Sequence, residues 1–554
     1  MIWKETASFA DEREPPERLA TWFGLTLWVA ALASVAFLVL WPVVAGIVSC
    51  GDDPLESRVS QMRGTLWINL VYWWGAAMFR PVDILGGWLV NMDTLDARVA
   101  ELFHLPALAA ILGALWVAMK RLTPRYRLYF PLAVLFWCLH LATNGTFWQH
   151  DTIAQTWAAA CGLWLGLVAW KGIERAWAGT AIGSQAVGLL LLTVLGVLTK
   201  EIFYGWVAGV GMLLLAAGAV AWRQRRKRAV FALGILLLAA TLIPLGFFSL
   251  RCIAGGASEL WMGHHQTQTA AGQSGADLSR FYTTGSGRYK AHFGLNMIRN
   301  TALATAGFFT LAPIHVLRDP DAPLALRIVP VLAIGLSILL CLGPWLVVWR
   351  SPQDWPARPC GKTVAAIVFV TFLGLSPTLP MGQITELYLL GPNVGAALLL
   401  TIGVVGWWQL LRTGPAERAS RSGKIGRAAV VVAAVMLIAC GAYGVASRAY
   451  HFGVTWTYAA ELNRRLLNHQ RSLPSDKDRV ATVFLPSACT EGRSHCQYVN
   501  PPAEALGYVG MTETWLNFHD PLRRMRLVRG MPTAPLAPGD MVLDCAGLPR
   551  RQHW

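Results

Sequence analysis

The chain has 554 residues, of which 55% are hydrophobic and only 14% are charged, whereas ordinary soluble domains carry roughly 25% charged residues. This composition excludes a disordered protein, which needs low hydrophobicity and high charge, and also a soluble enzyme with a few anchors, because apolar runs extend over most of the chain. The net charge of +16 does not predict nucleic-acid binding, because the basic residues stand between apolar runs of bilayer-spanning length.

Apolar runs of about 20 residues predict about 11 transmembrane helices. The predicted spans are 20–48, 105–119, 127–146, 153–170, 180–198, 202–222, 229–249, 325–349, 364–380, 387–411 and 427–446. The first run is too long for a cleavable signal peptide, so we expect a retained span. A weaker apolar segment, Asn296–Val316, contains Arg299 and His315 and either crosses the membrane or lies at its interface.

The distribution of Lys and Arg predicts the orientation. If the N-terminus is cytoplasmic, basic loops such as Lys120–Arg127 and Arg223–Arg228 lie inside, and Lys200 is the one Lys or Arg in the short outside loops. This bias persists to the last span only if Asn296–Val316 does not cross. The sequence therefore predicts an all-α polytopic protein of a bacterial-type inner membrane, with the N-terminus inside and the C-terminus outside.

Two of the predicted outside loops are long, at about 50–103 and 251–321. Both belong to a transmembrane domain of residues 1–447, and the hydrophilic remainder, 448–554, is predicted to form an extracytoplasmic extension. Pro and Gly separate a helix from short strand-like runs in this extension, which predicts a small α/β unit. Its predicted elements are Tyr458–Leu473, Arg479–Leu485 and Met541–Asp544.

The 10 cysteines do not form a disulfide scaffold in a chain of this length. Oxidation is expected only in the outside extension, where Cys489–Cys496 is the preferred disulfide. Neither the cysteines nor His264–His265 has the spaced partner ligands of a zinc site, so no metal site is predicted.

The first candidate functional cluster is Asp52–Asp53, just beyond the first span. Adjacent carboxylates supply a general base for a hydroxyl acceptor or bind a divalent cation, the one cofactor that we consider. The alternative interpretation is the start of a solvated loop. Further along the same loop, Arg80 precedes Pro81, and it either pairs with a lipid phosphate or extends to the headgroups.

Further polar clusters fall at the outer ends of spans, where ionisable residues are costly and are functional hypotheses by default. They are His150–Asp151, Lys200–Glu201 and Glu386 with Tyr388. His150 alone is more often a structural residue, and Lys200–Glu201 is either functional or a locally neutralised hairpin. In the second long loop, Arg288 and Lys290 flank a tyrosine, a pattern that suits an anionic lipid headgroup but is not specific to one.

Taken in order, these clusters resemble the motifs of the C-type membrane glycosyltransferases, especially protein O-mannosyltransferases and their relatives with a tetratricopeptide tail. The likeness covers most of residues 1–470, and no tetratricopeptide repeats follow it. The matching motifs are Asp52–Asp53, Phe79–Arg80–Pro81 with His104, His150–Asp151, Thr199–Lys200–Glu201 and Glu386–Leu387–Tyr388 with Pro392. Leu387 stands where the family often has Arg.

This resemblance implies transfer of a hexosyl or pentosyl group from a polyprenyl-phosphate donor to an acceptor hydroxyl at the outer membrane face. It implies that Asp52 or Asp53 is the catalytic base. The donor-binding residues that it implies are Arg80, His150, Asp151, Lys200, Glu201, Arg288, Lys290, Glu386 and Tyr388. The implied partners are the lipid-linked sugar donor, the membrane, and a glycan, lipid or protein acceptor, with no nucleic acid.

Three other classes of protein remain open. A transporter or flippase of lipid-linked sugars has polar residues on broken helices at mid-membrane and internal repeats, and no repeat is visible here. An O-antigen polymerase or ligase also has many spans and a long outside loop rich in Arg and His. A structural membrane scaffold has no need of acidic and basic pairs on one face.

Overall fold

The computed structural model describes residues 17–48, 66–67, 70, 80–91, 93–122, 126–200, 202–255, 294–308, 324–350, 379, 389–410, 421–486 and 509–544. This part of the chain is mostly helical, with one small sheet. The helices are α1 (Glu17–Ala45), α2 (Pro81–Leu89), α3 (Arg98–Glu101), α4 (His104–Leu122), α5 (Tyr126–Cys138), α6 (Leu141–Phe147), α7 (Ile153–Ala178), α8 (Gly183–Val197), α9 (Phe203–Arg223), α10 (Lys227–Gly255), α11 (Leu295–Phe308), α12 (Leu324–Arg350), α13 (Leu390–Leu410), α14 (Arg421–Ser472) and α15 (Val509–His519). The strands are β1 (Val480–Leu485), β2 (Arg524–Arg529) and β3 (Met541–Val542).

Among the described helices, 7 are long and apolar enough to cross a bilayer, or 8 if the bent pair α5–α6 is one span. Each predicted span falls on a described helix, except 364–380, which lies outside the described residues. The weak segment begins as α11, whose 14 residues measure about 21 Å against a hydrocarbon core of about 30 Å. Residues 309–316 of that segment lie outside the described residues. The fold is that of a polytopic helical membrane protein.

The helices pack into two adjoining cores. One joins α1, α4–α7 and α12–α14 with the extension, and the other joins α7–α10. The ring of Trp206 on α9 lies against Gly162 on α7 and Gly391 on α13, where any side chain would collide with it. Large apolar side chains such as Leu191 and Phe231 are exposed on the outer surface, as expected where helices face lipid tails.

The predicted span 127–146 is broken in two, because α6 is bent by 68° from α5. His140 is extended at the break and accepts a hydrogen bond through Nδ1 from a backbone N–H of α6. Thr143 Oγ1 donates to the Trp137 carbonyl and Asn144 Nδ2 donates to the Cys138 carbonyl. Polar side chains thus satisfy the carbonyls that the end of α5 would otherwise leave open inside a membrane.

The long helix α14 stabilises this break. Arg448 is fully buried and donates to the Leu141 carbonyl at the start of α6. From α13, Asn393 Nδ2 donates to Thr143 Oγ1 over 2.8 Å. Because α14 continues for 52 residues, the predicted last span and the predicted helix Tyr458–Leu473 are one helix of about 78 Å.

The extension is a small α/β unit on the end of α14. Its strands are parallel in the order β2-β1-β3, and β1 and β2 pair from Val480↔Arg524 to Leu485↔Arg529. The strands predicted near Arg479 and Met541 are confirmed, whereas β2 and α15 are not predicted. His519 Nε2 lies 2.8 Å from Asp93 Oδ1 and so connects α15 to the segment between α2 and α3. The predicted disulfide Cys489–Cys496 lies outside the described residues.

Candidate functional site

The short helix α2 lies against the start of α7. Pro81 occupies its first turn, where the missing N–H costs nothing, and Asp83 follows in the same turn, where a carboxylate is favoured. Asp83 Oδ1 accepts a hydrogen bond from the Ala154 backbone N–H over 2.9 Å. The residue that precedes α7, Thr152, makes no capping bond to the helix, so Asp83 supplies the N-terminal cap from 71 residues away.

Charges from three separate segments act on this carboxyl. Burial raises the pKa of Asp83, and the charges of Lys200, Arg80 and His150, together with the Ala154 N–H, lower it; the pKa remains above the usual value. Arg80 immediately precedes α2, His150 lies in the 3-10 turn before α7, and Lys200 lies between α8 and α9. We call these three basic residues with Asp83 the basic cluster. It combines cations with a helix N-terminus, which is the chemistry of an anion site.

Close packing positions His150 within the basic cluster. Its side chain is buried, and a Cβ added to Gly86 of α2 would lie 3.4 Å from its Nε2 and 2.8 Å from Ile153 Cδ1. Glycine therefore permits the close approach of α2 to the 3-10 turn. The turn itself is held by Thr152 Oγ1, which donates to the Gln149 carbonyl over 2.7 Å.

A second ionisable pair, Glu101 and His104, is buried beside the turn. His104 Nε2 lies 3.4 Å from Glu101 Oε2. On its other side, His104 Nδ1 lies 3.1 Å from Thr156 Oγ1, which donates its own proton to the Ile153 carbonyl. These contacts on both ring nitrogens hold His104 between α3 and the start of α7.

The structure brings three predicted site residues, Arg80, His150 and Lys200, into one cluster. Asp151 lies in the 3-10 turn, where the structure describes its backbone and not its side chain. The other predicted site residues lie outside the described residues: Asp52, Asp53, Glu201, Arg288, Lys290, Glu386 and Tyr388. Within the described ranges, no group of three or more His, Cys, Asp or Glu side chains is arranged to hold a metal ion.

Asp83 is the member of the basic cluster that the sequence interpretation misses. A single carboxylate in the first turn of a short helix is ordinary, because the helix dipole alone accounts for it. The sequence nevertheless marks Asp83 in one way, because it is the one charged residue between Arg80 and Asn91 in an apolar stretch next to the membrane. Its contact with Ala154 is long-range and has no local sequence signature.

No family model matches this sequence, and no curated protein matches it. Among solved structures, the chain is similar to ArnT from Cupriavidus metallidurans in the apo state, with 13% identity, a TM-score of 0.41, and coverage of 92% of this chain and 86% of that one. It is similar to the Archaeoglobus fulgidus oligosaccharyltransferase tethered to an acceptor peptide, with 11% identity, a TM-score of 0.42, and coverage of 92% and 64%. A third structure is AglB from Archaeoglobus fulgidus in complex with an inhibitory peptide and a dolichol-phosphate, with 12% identity, a TM-score of 0.39, and coverage of 84% and 62%.

These neighbours are polytopic membrane glycosyltransferases of the C-type fold, the class that the sequence motifs resemble. The chain spans less than two thirds of the length of the two oligosaccharyltransferases. At these TM-scores the similarity assigns no reaction to the chain.

Proposed function

We propose that this chain is a membrane glycosyltransferase that moves a hexosyl or pentosyl group from a polyprenyl-phosphate donor to a hydroxyl of a glycan, lipid or protein acceptor. The observation that carries the proposal is the convergence of Arg80, His150 and Lys200 on Asp83 beside a helix N-terminus. Such a cluster binds a phosphate. Because it lies at the ends of membrane helices, it suits a phosphate whose hydrocarbon tail stays in the bilayer.

In the proposed reaction, the acceptor oxygen bonds to the anomeric carbon of the sugar while the bond from that carbon to the phosphate oxygen breaks. Both electrons of the broken bond stay with the phosphate, and the acceptor's hydroxyl proton passes to a base. Arg80 and Lys200 stabilise the charge that develops on the phosphate. Asp52 and Asp53 are our candidates for the base, and they come within five residues of Val48, which forms a backbone bridge with Asp96 in the first outside loop.

The experiment that tests this function is transfer and binding with a radiolabelled polyprenyl-phosphate sugar in nanodiscs. Lys200→Met and Arg80→Gln remove one charge each and are expected to weaken donor binding about 10- to 100-fold, the worth of a charge-assisted hydrogen bond. The matched control is Lys120→Met, because Lys120 is exposed at the opposite end of the membrane helices. If Lys200→Met and Arg80→Gln bind donor as Lys120→Met does, the assignment of the basic cluster is wrong.

The same assay tests the proposed base. Asp52→Asn and Asp53→Asn, made singly and together, are expected to retain donor binding while one of them slows transfer about 10²- to 10⁴-fold. Normal turnover in both single variants and in the double variant would remove this pair from the mechanism.

We also propose 11 crossings in a bacterial-type inner membrane, with the N-terminus cytoplasmic and the extension periplasmic. The proposal rests on the basic inside loops, which carry residues such as Arg223 and Arg226. A reporter fused after Arg226 is expected inside and one fused after Trp554 outside. A cytoplasmic reporter after Trp554 would mean that the segment continuing from α11 crosses the membrane.

A flippase of lipid-linked sugars is the second candidate. One observation favours it, namely the broken span α5–α6 with Arg448 and Asn393 buried beside the break. Proteoliposomes separate the two functions, because a flippase moves a fluorescent polyprenyl-phosphate sugar to the other leaflet without a covalent product, whereas a transferase forms a glycosylated acceptor.

A further inference from the structure

The Asp83 carboxyl occupies a position that would otherwise attract an anion. Its Oδ1 is 2.9 Å from the Ala154 nitrogen near the start of α7, and the charges of Lys200, Arg80 and His150 all act on it. Two cations, a histidine and a helix N-terminus favour one negative charge, and the protein itself supplies that charge. A phosphate that approaches the same groups therefore meets a carboxylate already in place.

Among the described side chains of the elements packed against α2, the other charged groups are engaged elsewhere. On α3, Arg98 is bound by Asp96 through Nε at 2.9 Å, and Glu101 faces His104 at 3.4 Å. His150 in the 3-10 turn belongs to the basic cluster itself. Among the described side chains, Asp83 is thus the carboxylate on which the charges of Arg80, His150 and Lys200 act.

We propose that Asp83 is a built-in anion whose protonation is coupled to phosphate binding at the basic cluster, so that the site favours a phosphodiester with one negative charge over a phosphomonoester with two. This inference rests on the proposed function. The donor is a diester and keeps a single charge throughout the neutral range. Once the sugar leaves, the product is a monoester whose second ionisation has a pKa of about 6. Asp83 would therefore repel the product more than the donor and promote its release.

The direction of the pH dependence follows from the electrostatics. Burial already holds the pKa of Asp83 above its usual value, and the attraction of Lys200, Arg80 and His150 offsets part of this effect. A bound anion adds a like charge and raises the pKa of Asp83 further. Protonation of Asp83 and anion binding then favour each other, so binding takes up a proton and affinity falls as the pH rises through this range. His150 is also an ionisable group of the basic cluster, so its contribution has to be measured separately.

The probes are a short-chain polyprenyl phosphate, its methyl ester, and inorganic sulfate, which does not titrate in this range. Wild type, Asp83→Asn and Asp96→Asn are compared in nanodiscs by calorimetry in buffers of different ionisation enthalpy. Asp96 is the matched control, because it is a paired carboxylate of the same loop outside the basic cluster. His150→Gln isolates the titration of the imidazole. Thermal unfolding of each variant checks that the fold is intact.

At pH 7.5 we expect Asp83→Asn to bind the monoester about tenfold more tightly, as for a carboxyl pKa shift of about one unit, and to bind the methyl ester within about threefold of wild type. Proton uptake on sulfate binding is expected to shrink in Asp83→Asn and to persist in Asp96→Asn and, in part, in His150→Gln. If Asp83→Asn weakens both esters equally, or alters neither, the carboxyl only caps α7 and the proposal is overturned.

The outcomes also distinguish the two proposals. If wild type binds both esters, Lys200→Met weakens the binding of both, and Asp83→Asn shows the same preference between them as wild type, the inference about Asp83 fails and the proposed function stands. If wild type binds neither ester, both are wrong.

Discussion

Replacing Gly86 with alanine tests how closely α2 is seated on the site. The new Cβ would lie 2.8 Å from Ile153 Cδ1 and 3.4 Å from His150 Nε2, whereas unstrained carbon atoms are about 3.5–4.0 Å apart. Ile153 is fully buried and does not move into solvent, so we expect α2 to retreat by about 0.7–1.2 Å. Overpacking of this kind costs about 1–3 kcal/mol, and alanine regains about 0.5–1 kcal/mol of helix propensity.

We therefore expect Gly86→Ala to lower the free energy of unfolding by about 0–2.5 kcal/mol and to slow transfer by about 10²-fold, since a misplacement of about 1 Å has that effect. Unfolding is measured by thermal denaturation in detergent and transfer in nanodiscs. The control is Gly234→Ala on α10, where nothing lies within 4 Å of the added Cβ; it is expected to be neutral or stabilising. Equal transfer rates in Gly86→Ala and Gly234→Ala would refute the close seating of α2 on His150.

Two further predictions concern the supports of the site. Thr143→Val removes the hydroxyl that links Asn393 to the end of α5. A double-mutant cycle of Thr143→Val with Asn393→Ala should give a coupling free energy of about 0.6–1.7 kcal/mol, as for membrane hydrogen bonds. Thr143→Ser should retain stability, and a coupling free energy of zero would contradict the contact. Between α2 and α3, Leu95→Ala should cost about 2–5 kcal/mol because the side chain is fully buried. Asp93→Asn, which loses an exposed ion pair with His519, should cost less than about 1 kcal/mol in the same unfolding assay.

The membrane helices could be predicted from the sequence, because burial in lipid leaves long apolar runs that need no tertiary context. The break between α5 and α6 was not predicted, although His140, Thr143 and Asn144 stand in the second half of the run 127–146. Local contacts of His140, Thr143 and Asn144 satisfy the break, and long-range contacts support it, such as that of Arg448 with the Leu141 carbonyl, 307 residues apart. The residues that make these long-range contacts have no local sequence signature.

The basic cluster was partly predictable for a similar reason. Arg80, His150 and Lys200 stand out as polar residues at the ends of apolar runs, and they were predicted one by one. Their convergence on Asp83 depends on how α2 docks against α7, which no local pattern specifies. The continuation of α14 past the membrane was hidden as well, because Arg448, His451 and Thr455 are typical of a solvated tail and yet are buried against the protein.

The unbroken helix α14 couples movement of the extension to movement near the break between α5 and α6. A rod of about 78 Å that tilts by roughly 3° about its membrane end displaces its other end by about 4 Å. At that far end Gln470 holds the extension through the Leu516 and Arg523 carbonyls, and near the membrane Arg448 holds α6, the helix that leads into the His150 turn. A tilt of the extension therefore strains, through Arg448 and α6, the segment that leads into the His150 turn.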